Sequence, residues 1–291
     1  MRKIAPSELI INSDGSVFHL HLRPGQIADT VILVGDQGRV KQVSSYFDSI
    51  ECNVSNREFV TATGSYKGKR ISVLTTGIGT DNIDIVINEL DALANVDFAT
   101  RTEKTENTRL TLVRLGTCGA LQPDIEIGNL ILSRTSIGFD GLLNFYEGRD
   151  SVCNLEMERA FKEHTGWNPQ LATPYFIDCS SRLAELFSDF TIEGMTVSAP
   201  GFYGPQGRYI RIQPADPALN EKIESFRYDG RRITNFEMEG SAVAGLARLL
   251  GHDATTICTA IAQRIAKGIN IDYRRFVDKM IVTSLDKLCG I

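Results

Sequence analysis

The stretch TVILVGDQGRVKQVSSYF (30–47) passes from a short β-branched apolar run, through a turn carrying two glycines and an arginine, into a helical segment. An apolar run of strand length, closed by glycine, reads as a strand buried on both faces. Further short runs of this kind recur along the chain: RISVLTTG (70–77), LTLVRLG (110–116), NLILS (129–133), MTVSAPG (195–201) and TTICTAIA (255–262). Between them, 81–95, 154–165, 238–251 and 272–288 carry helical spacing, with Asp81 and Asp272 expected as N-caps and Gly251 as a stop. The segment 58–74 reads as a hairpin turning at Lys67, Gly68 and Lys69. Strands alternating with helices predict an α/β fold, a central mixed β-sheet flanked by helices. With no repeat or linker in view, one domain over 1–291 is expected, with 100–109 as a solvated loop extension.

Composition narrows the partners. The chain has 291 residues, 42% hydrophobic and 23% charged, and a net charge of −5. Mild acidity without a basic cluster argues against nucleic acid. No apolar run reaches membrane-spanning length, and the opening residues carry no signal-peptide pattern. Six cysteines without a CxxC pair suggest neither a disulfide framework nor a zinc site, and fit a reducing cytoplasm.

Five of the predicted strands lead directly into glycine-rich or polar segments: GDQGR, TTGIGT, GTCG, GFYGPQGR and QR. In an open α/β sheet the carboxyl ends of the strands form the rim where ligands bind, so five such segments can converge on one small-molecule pocket. Gly35 and Arg39 lie at a strand-to-helix turn, where backbone N–H groups and a guanidinium suit an anion; an ordinary turn with an exposed arginine fits the same residues. Arg114 sits in an apolar strand and needs an anionic partner, either a ligand or an internal carboxylate. Glu237 and Glu239 bracket Met238 ahead of a small-residue helix, which suits a grip on a vicinal diol or plain helix capping. TTGIGT lacks the third glycine of a dinucleotide fingerprint. His19 and His21 fall on one face of an expected strand, but no third metal ligand has a recognisable spacing.

The segments VFHLHL, VILVGDQGRV, SNREF, LTTGIG, VRLGTCGALQ, GFYGPQGR and NFEMEGSA resemble, in the same order, those of the nucleoside phosphorylase family, and among its members the uridine phosphorylases most. The resemblance spans about residues 17–264 and is weakest at 97–109 and 142–190. It implies reversible phosphorolysis of a pyrimidine nucleoside, uridine and phosphate giving uracil and ribose 1-phosphate. No metal or cofactor is implied, and inorganic phosphate is the co-substrate. It also implies roles. Gly35, Arg39, Arg114 and Thr117 would bind phosphate, joined by Arg57 from a neighbouring subunit. His19 would meet the ribose 5′-hydroxyl across that interface, and Glu237, Met238 and Glu239 would hold the ribose. Phe202 would face the base, with Gln206, Arg208 and Arg264 at its polar edge; Tyr203 serves either base or packing. Arg39, Arg114, Arg208 and Glu239 would carry the catalysis. Shared sites imply a homodimer, or a trimer of dimers.

The chain departs from that pattern in places. Thr80, Asp81 and Asn82 stand where the family usually continues Gly-Pro-Ser, and Gln263 stands where uridine phosphorylases more often have Asn. Purine-specific relatives carry an Asp near that position. A phosphorylase of broader or purine preference, a nucleosidase and a non-catalytic nucleoside-binding module are the alternatives; the last two have no use for three phosphate arginines.

Overall fold

β1 (Thr30–Val34) is buried at all five positions in the computed structural model, which describes residues 2–264, 268–269 and 272–291. The Asp36 side chain caps α1 (Gln37–Ser44) by accepting from the Arg39 N–H, which satisfies one of the donors a helix start leaves open. β2 (Ser49–Asn56), β3 (Phe59–Tyr66) and β4 (Lys69–Thr75) form an antiparallel meander. The expected hairpin turn is present between β3 and β4, with Lys67 and Gly68 both at positive φ, 49° and 80°, matching the twist of the strands they join.

α2 (Thr80–Asn95) starts after Gly79, so Asp81 lies in its first turn and is not the N-cap. The polar extension that follows is not simply solvated loop. β5 (Val96–Asp97) and β6 (Thr102–Glu103) pair, and Arg101 between them donates to the carbonyls of Ile4 (2.9 Å), Ala5 (3.1 Å) and Leu9. This guanidinium stitches the amino-terminal segment to the body.

β7 (Thr111–Ala120) and β8 (Leu130–Gly138) follow, then α3 (Arg149–Val152), α4 (Leu155–Thr165), β9 (Tyr175–Asp178), α5 (Ser181–Phe187) and β10 (Ile192–Ser198). A long excursion leads to α6 (Leu219–Ser225) and β11 (Arg227–Tyr228). β12 (Arg231–Glu237), α7 (Gly240–Leu249), β13 (Asp253–Gln263), β14 (Gly268–Ile269) and α8 (Arg274–Leu288) complete the described chain. α8 is N-capped by Tyr273, not by Asp272. Gly251, at φ 82°, ends the α7 region as expected.

The mixed sheet runs β11-β12-β10-β8-β13-β7-β1-β4-β3-β2, and β12 also pairs with β7, Asn235 against Ala120 and Phe236 against Gly119. β7, β13, β8, β10 and β12 therefore close on themselves, with β1, β4, β3 and β2 extending as an arm. α2 and α7 cover one face around Ile83, Ile87, Leu90 and Val243. α1, α5 and α8 cover the other around Val43, Leu183, Met280 and Leu285. A third cluster packs Phe139, Phe161, Phe176 and Phe226 beneath α4 and α6.

Candidate active site

A cavity of about 320 Å³ opens at the carboxyl ends of β1, β7, β10, β12 and β13. Gly35, Arg39, Arg114 and Thr117 line one end. Glu237, Met238 and Glu239 form its middle, and Phe202, Gln206 and Arg208 its far end. Four of the five segments singled out at the strand ends line it, Ile78 coming from the TTGIGT turn; Gln263 and Arg264 do not, and β13 contributes Ile261 and Ala262 at its register shift instead. A bulge re-aims a side chain that regular pairing would send elsewhere.

Arg114, only 4% exposed, ion-pairs with Glu239 and, at 3.2 Å, with Glu237. Its guanidinium folds back along the strand over Gly116, where a Cβ would come within 2.1 Å of Nη1. Breaking a buried pair of this kind costs about 3–5 kcal/mol. Of the two sequence readings of Arg114, the internal carboxylate is the one seen: its partners are the two carboxylates that flank Met238. Burial opposes its charge, but Glu239 and Glu237 outweigh it and hold the group firmly protonated. Glu239 goes the other way. Burial raises its carboxyl above the ordinary value, Arg114 opposes this, and the neighbouring Glu237 adds to it. The Gly79 N–H donates to Glu239 at 2.8 Å and fixes the carboxylate toward the cavity wall.

Glu237 differs from its neighbour in what it does. Its oxygens accept from the N–H groups of Glu239 (2.9 Å) and Gly240 (2.8 Å) and from the Ser198 hydroxyl. Ser198 in turn accepts from the Ser241 N–H at 2.8 Å. Glu237 therefore ties β12 to β10 and to the start of α7, whereas Glu239 is held by Gly79 and Arg114.

At the far end, Gln206 is buried and Arg208 donates to its side-chain oxygen at 2.5 Å. The Arg208 guanidinium stacks on the Phe202 ring, 3.7 Å from its centroid. Phe202 is thus a platform for the guanidinium in this structure, not a free face for a base. Tyr203 packs edge-on against Phe202 and lines a second, larger cavity of about 870 Å³ on the other side of the loop. That space is walled by Trp167, Leu171, Ile210 and Ile212 and shares Arg208 with the smaller one. Arg39, Arg114 and the two carboxylates line the smaller cavity. Arg264 stands behind the loop and donates to the Gln206 carbonyl at 2.7 Å. Burial, and then the charge of Arg264, pull Arg208 down to about 10; burial lowers Arg264 as well. Neither arginine has a carboxylate ion-pair partner among the described residues, so this end of the cavity favours electron-rich oxygen.

His19 and Arg57 do not line the cavity. They form a patch of their own: the Asn56 amide donates to the His19 carbonyl at 2.8 Å, and Arg57, at φ 54°, lies over the Phe18 ring. The stretch holding His19 is a turn, not the expected strand, so His19 and His21 share no strand face. Glu89, a buried residue that sequence reasoning missed, accepts from the His19 and Leu20 N–H groups and from His19 Nδ1 at 2.7 Å. No local pattern could have found a partner 70 positions away. Cys118 also lines the cavity, but burial and contact with Cys258 push its thiol well above the ordinary value, so it is no nucleophile at neutral pH.

Two arginines, each paired with carboxylates, and an amide–guanidinium pair thus meet in one cavity on the rim of a closed mixed sheet. The chain belongs to the phosphorylase superfamily, whose family profile matches residues 29–281. It is 32% identical over 273 residues to the uridine phosphorylase of Thermococcus kodakarensis, covering 91% of this chain and 84% of that protein. It is 39% identical over 252 residues to a DeoD-type purine nucleoside phosphorylase of Alkaliphilus metalliredigens, covering 86% and 89%. Among solved structures it resembles the Trypanosoma brucei nucleoside phosphorylase described as showing uridine phosphorylase activity. That match has a TM-score of 0.89 at 30% identity and covers 97% of this chain and 100% of the other.

Proposed function

We propose that this protein catalyses the reversible phosphorolysis of a pyrimidine nucleoside, uridine and phosphate giving uracil and ribose 1-phosphate. A phosphate oxygen bonds to C1′ as the C1′–N1 bond breaks, and the bonding pair leaves with the base. Gly35, Arg39, Arg114 and Thr117 hold the phosphate, which also balances positive charge developing on the sugar. Glu239 and Met238 hold the ribose. Gln206 and Arg208 receive the negative charge on the departing uracil, and Arg264 keeps Gln206 in place. Holding both reactants in one cavity supplies much of the remaining advantage by orientation. The reaction needs neither metal nor cofactor. Arg57 and His19 complete the site of a second copy of the chain, making the working unit a homodimer in the cytoplasm; six free cysteines fit that compartment.

The observation that carries the pyrimidine reading is the buried Gln206 amide beside the Arg208 guanidinium, both on one rigid turn. Relatives of both base preferences are similar to the chain, so their names alone do not choose; the edge chemistry does. An amide can serve the N3–H and O2 of uracil while the guanidinium serves O4, and a purine leaves these groups unpaired. The test is release of uracil from uridine with and without phosphate, alongside inosine. Phosphate-dependent release, with inosine disfavoured by roughly 10⁴, is expected. Equal release without phosphate would refute phosphorolysis, and comparable turnover of inosine would refute the base assignment.

A further inference from the structure

The base loop is held from behind by a residue to which no role has been given. The Gln206 carbonyl accepts two donors, Arg264 Nη2 at 2.7 Å and Asn220 Nδ2 at 3.1 Å. Within the loop, the Gln206 and Arg208 N–H groups both bond the Tyr203 carbonyl, at 3.1 and 2.8 Å, and Gly207 N–H bonds the Gly204 carbonyl at 2.8 Å. Gly207 then turns left-handed, at φ 68°, which leaves the Gln206 carbonyl pointing out of the turn. A Cβ on Gly207 would lie 2.4 Å from Asn220 Nδ2, so loop backbone and Asn220 amide are in close contact.

Asn220 is itself well founded. It is the second residue of α6, whose Ile223 is fully buried in the aromatic cluster. His164 Nε2 lies 3.0 Å from both the Lys222 carbonyl and the Ser225 hydroxyl at the far end of that helix. Asp216 pairs with Lys222 at 2.7 Å ahead of it. The Asn220 amide, on an anchored helix, thus adds a second, neutral donor to the charged one that Arg264 supplies to the same carbonyl. Gln206 stands at one end of the Gln206–Gly207 peptide plane and Arg208 follows the Gly207 at its other end, and the N–H groups of both bond the Tyr203 carbonyl, so a rotation of the plane disturbs both.

We propose that Asn220 is a positioning residue of the base site, setting the orientation of the Gln206 amide and the Arg208 guanidinium through the Gln206–Gly207 peptide. This rests on the uridine reading above. The test compares the full-length parent with Asn220→Ala, Asn220→Asp, Gln206→Ala and the Asn220→Ala/Gln206→Ala double variant. Losing one such hydrogen bond should raise KM for uridine roughly five- to ten-fold, with KM for phosphate and the unfolding temperature unchanged. Asn220→Asp keeps the shape but replaces the donor with an acceptor, so it should be at least as impaired, and it serves if Asn220→Ala does not fold. In the Gln206→Ala background the same substitution should add only about two-fold, because the reader it places is gone. An unchanged uridine KM, an equal rise in phosphate KM, or full additivity in the double variant would overturn the positioning role while uridine turnover by the parent stands. A parent chain that does not cleave uridine would overturn both readings.

Discussion

Arg114 has two buried carboxylates for one guanidinium, and the sharing leaves Glu239 the less comfortable of the pair. Its carboxyl is raised by burial and by Glu237 above the ordinary range near 4.3. Falling pH protonates it and, on the proposed function, would remove an acceptor from the ribose, so kcat/KM for uridine should drop on the acid side at a pH above that range. Glu239→Gln should lower activity throughout and flatten this acid limb; a limb that persists unchanged in the variant would assign the titration elsewhere. The carboxylates and the arginine were legible one by one, because a charge in an apolar strand announces that it needs a partner. Which partner it takes was not legible, since pairing depends on β7 and β12 meeting. Glu89 and Asn220 were invisible for the same reason: ordinary helix residues acquire roles only from what the fold sets opposite them.

On β7, Arg114 and Gly116 are two residues apart and so share a face, which lets the guanidinium lie along the strand. A methyl at residue 116 occupies the volume of Nη1. Gly116→Ala should therefore cost more than ten-fold in kcat/KM by displacing Arg114, while circular dichroism stays that of the parent. Parental activity in this variant would show that the guanidinium has another path. Among the elements, β1, β7, β10 and β13 were readable as apolar runs because both faces are covered. β2, with its alternating exposed residues, and β12, which begins with two arginines, were not read as strands. Neither was α6, seven residues long with a single buried position, Ile223. Burial on one side only, or a short span, leaves too little periodicity to read. Asn154 shows the opposite case: its side chain accepts from the Met157 N–H at 3.0 Å and starts α4 where the helical pattern 154–165 began.

Over the whole molecule, alternation of strands and helices foretold layers but not closure, since the β12–β7 pairing joins segments more than a hundred residues apart. The position of His19 and Arg57 away from the cavity bears on assembly. If they serve a second chain, Arg57→Ala and Glu239→Ala chains, each nearly inactive, should complement when co-expressed. In a mixed dimer one pocket keeps its own Glu239 and borrows an intact Arg57, while the other carries both lesions. Random pairing makes about half the dimers mixed, so about a quarter of parental activity should return. Purified mixed dimers without activity would place Arg57 outside its neighbour's pocket. The excursion between β10 and α6 has a different bearing. On the function proposed above, phosphate and sugar would be held at the ends of strands locked edge to edge, whereas the base would be read by one turn slung between two anchors. Breaking the glycosidic bond and choosing which base to release would then be inherited on separate pieces of chain. A transplanted excursion of equal span could re-address the same frame to another nucleobase and leave its bond-breaking apparatus as it was.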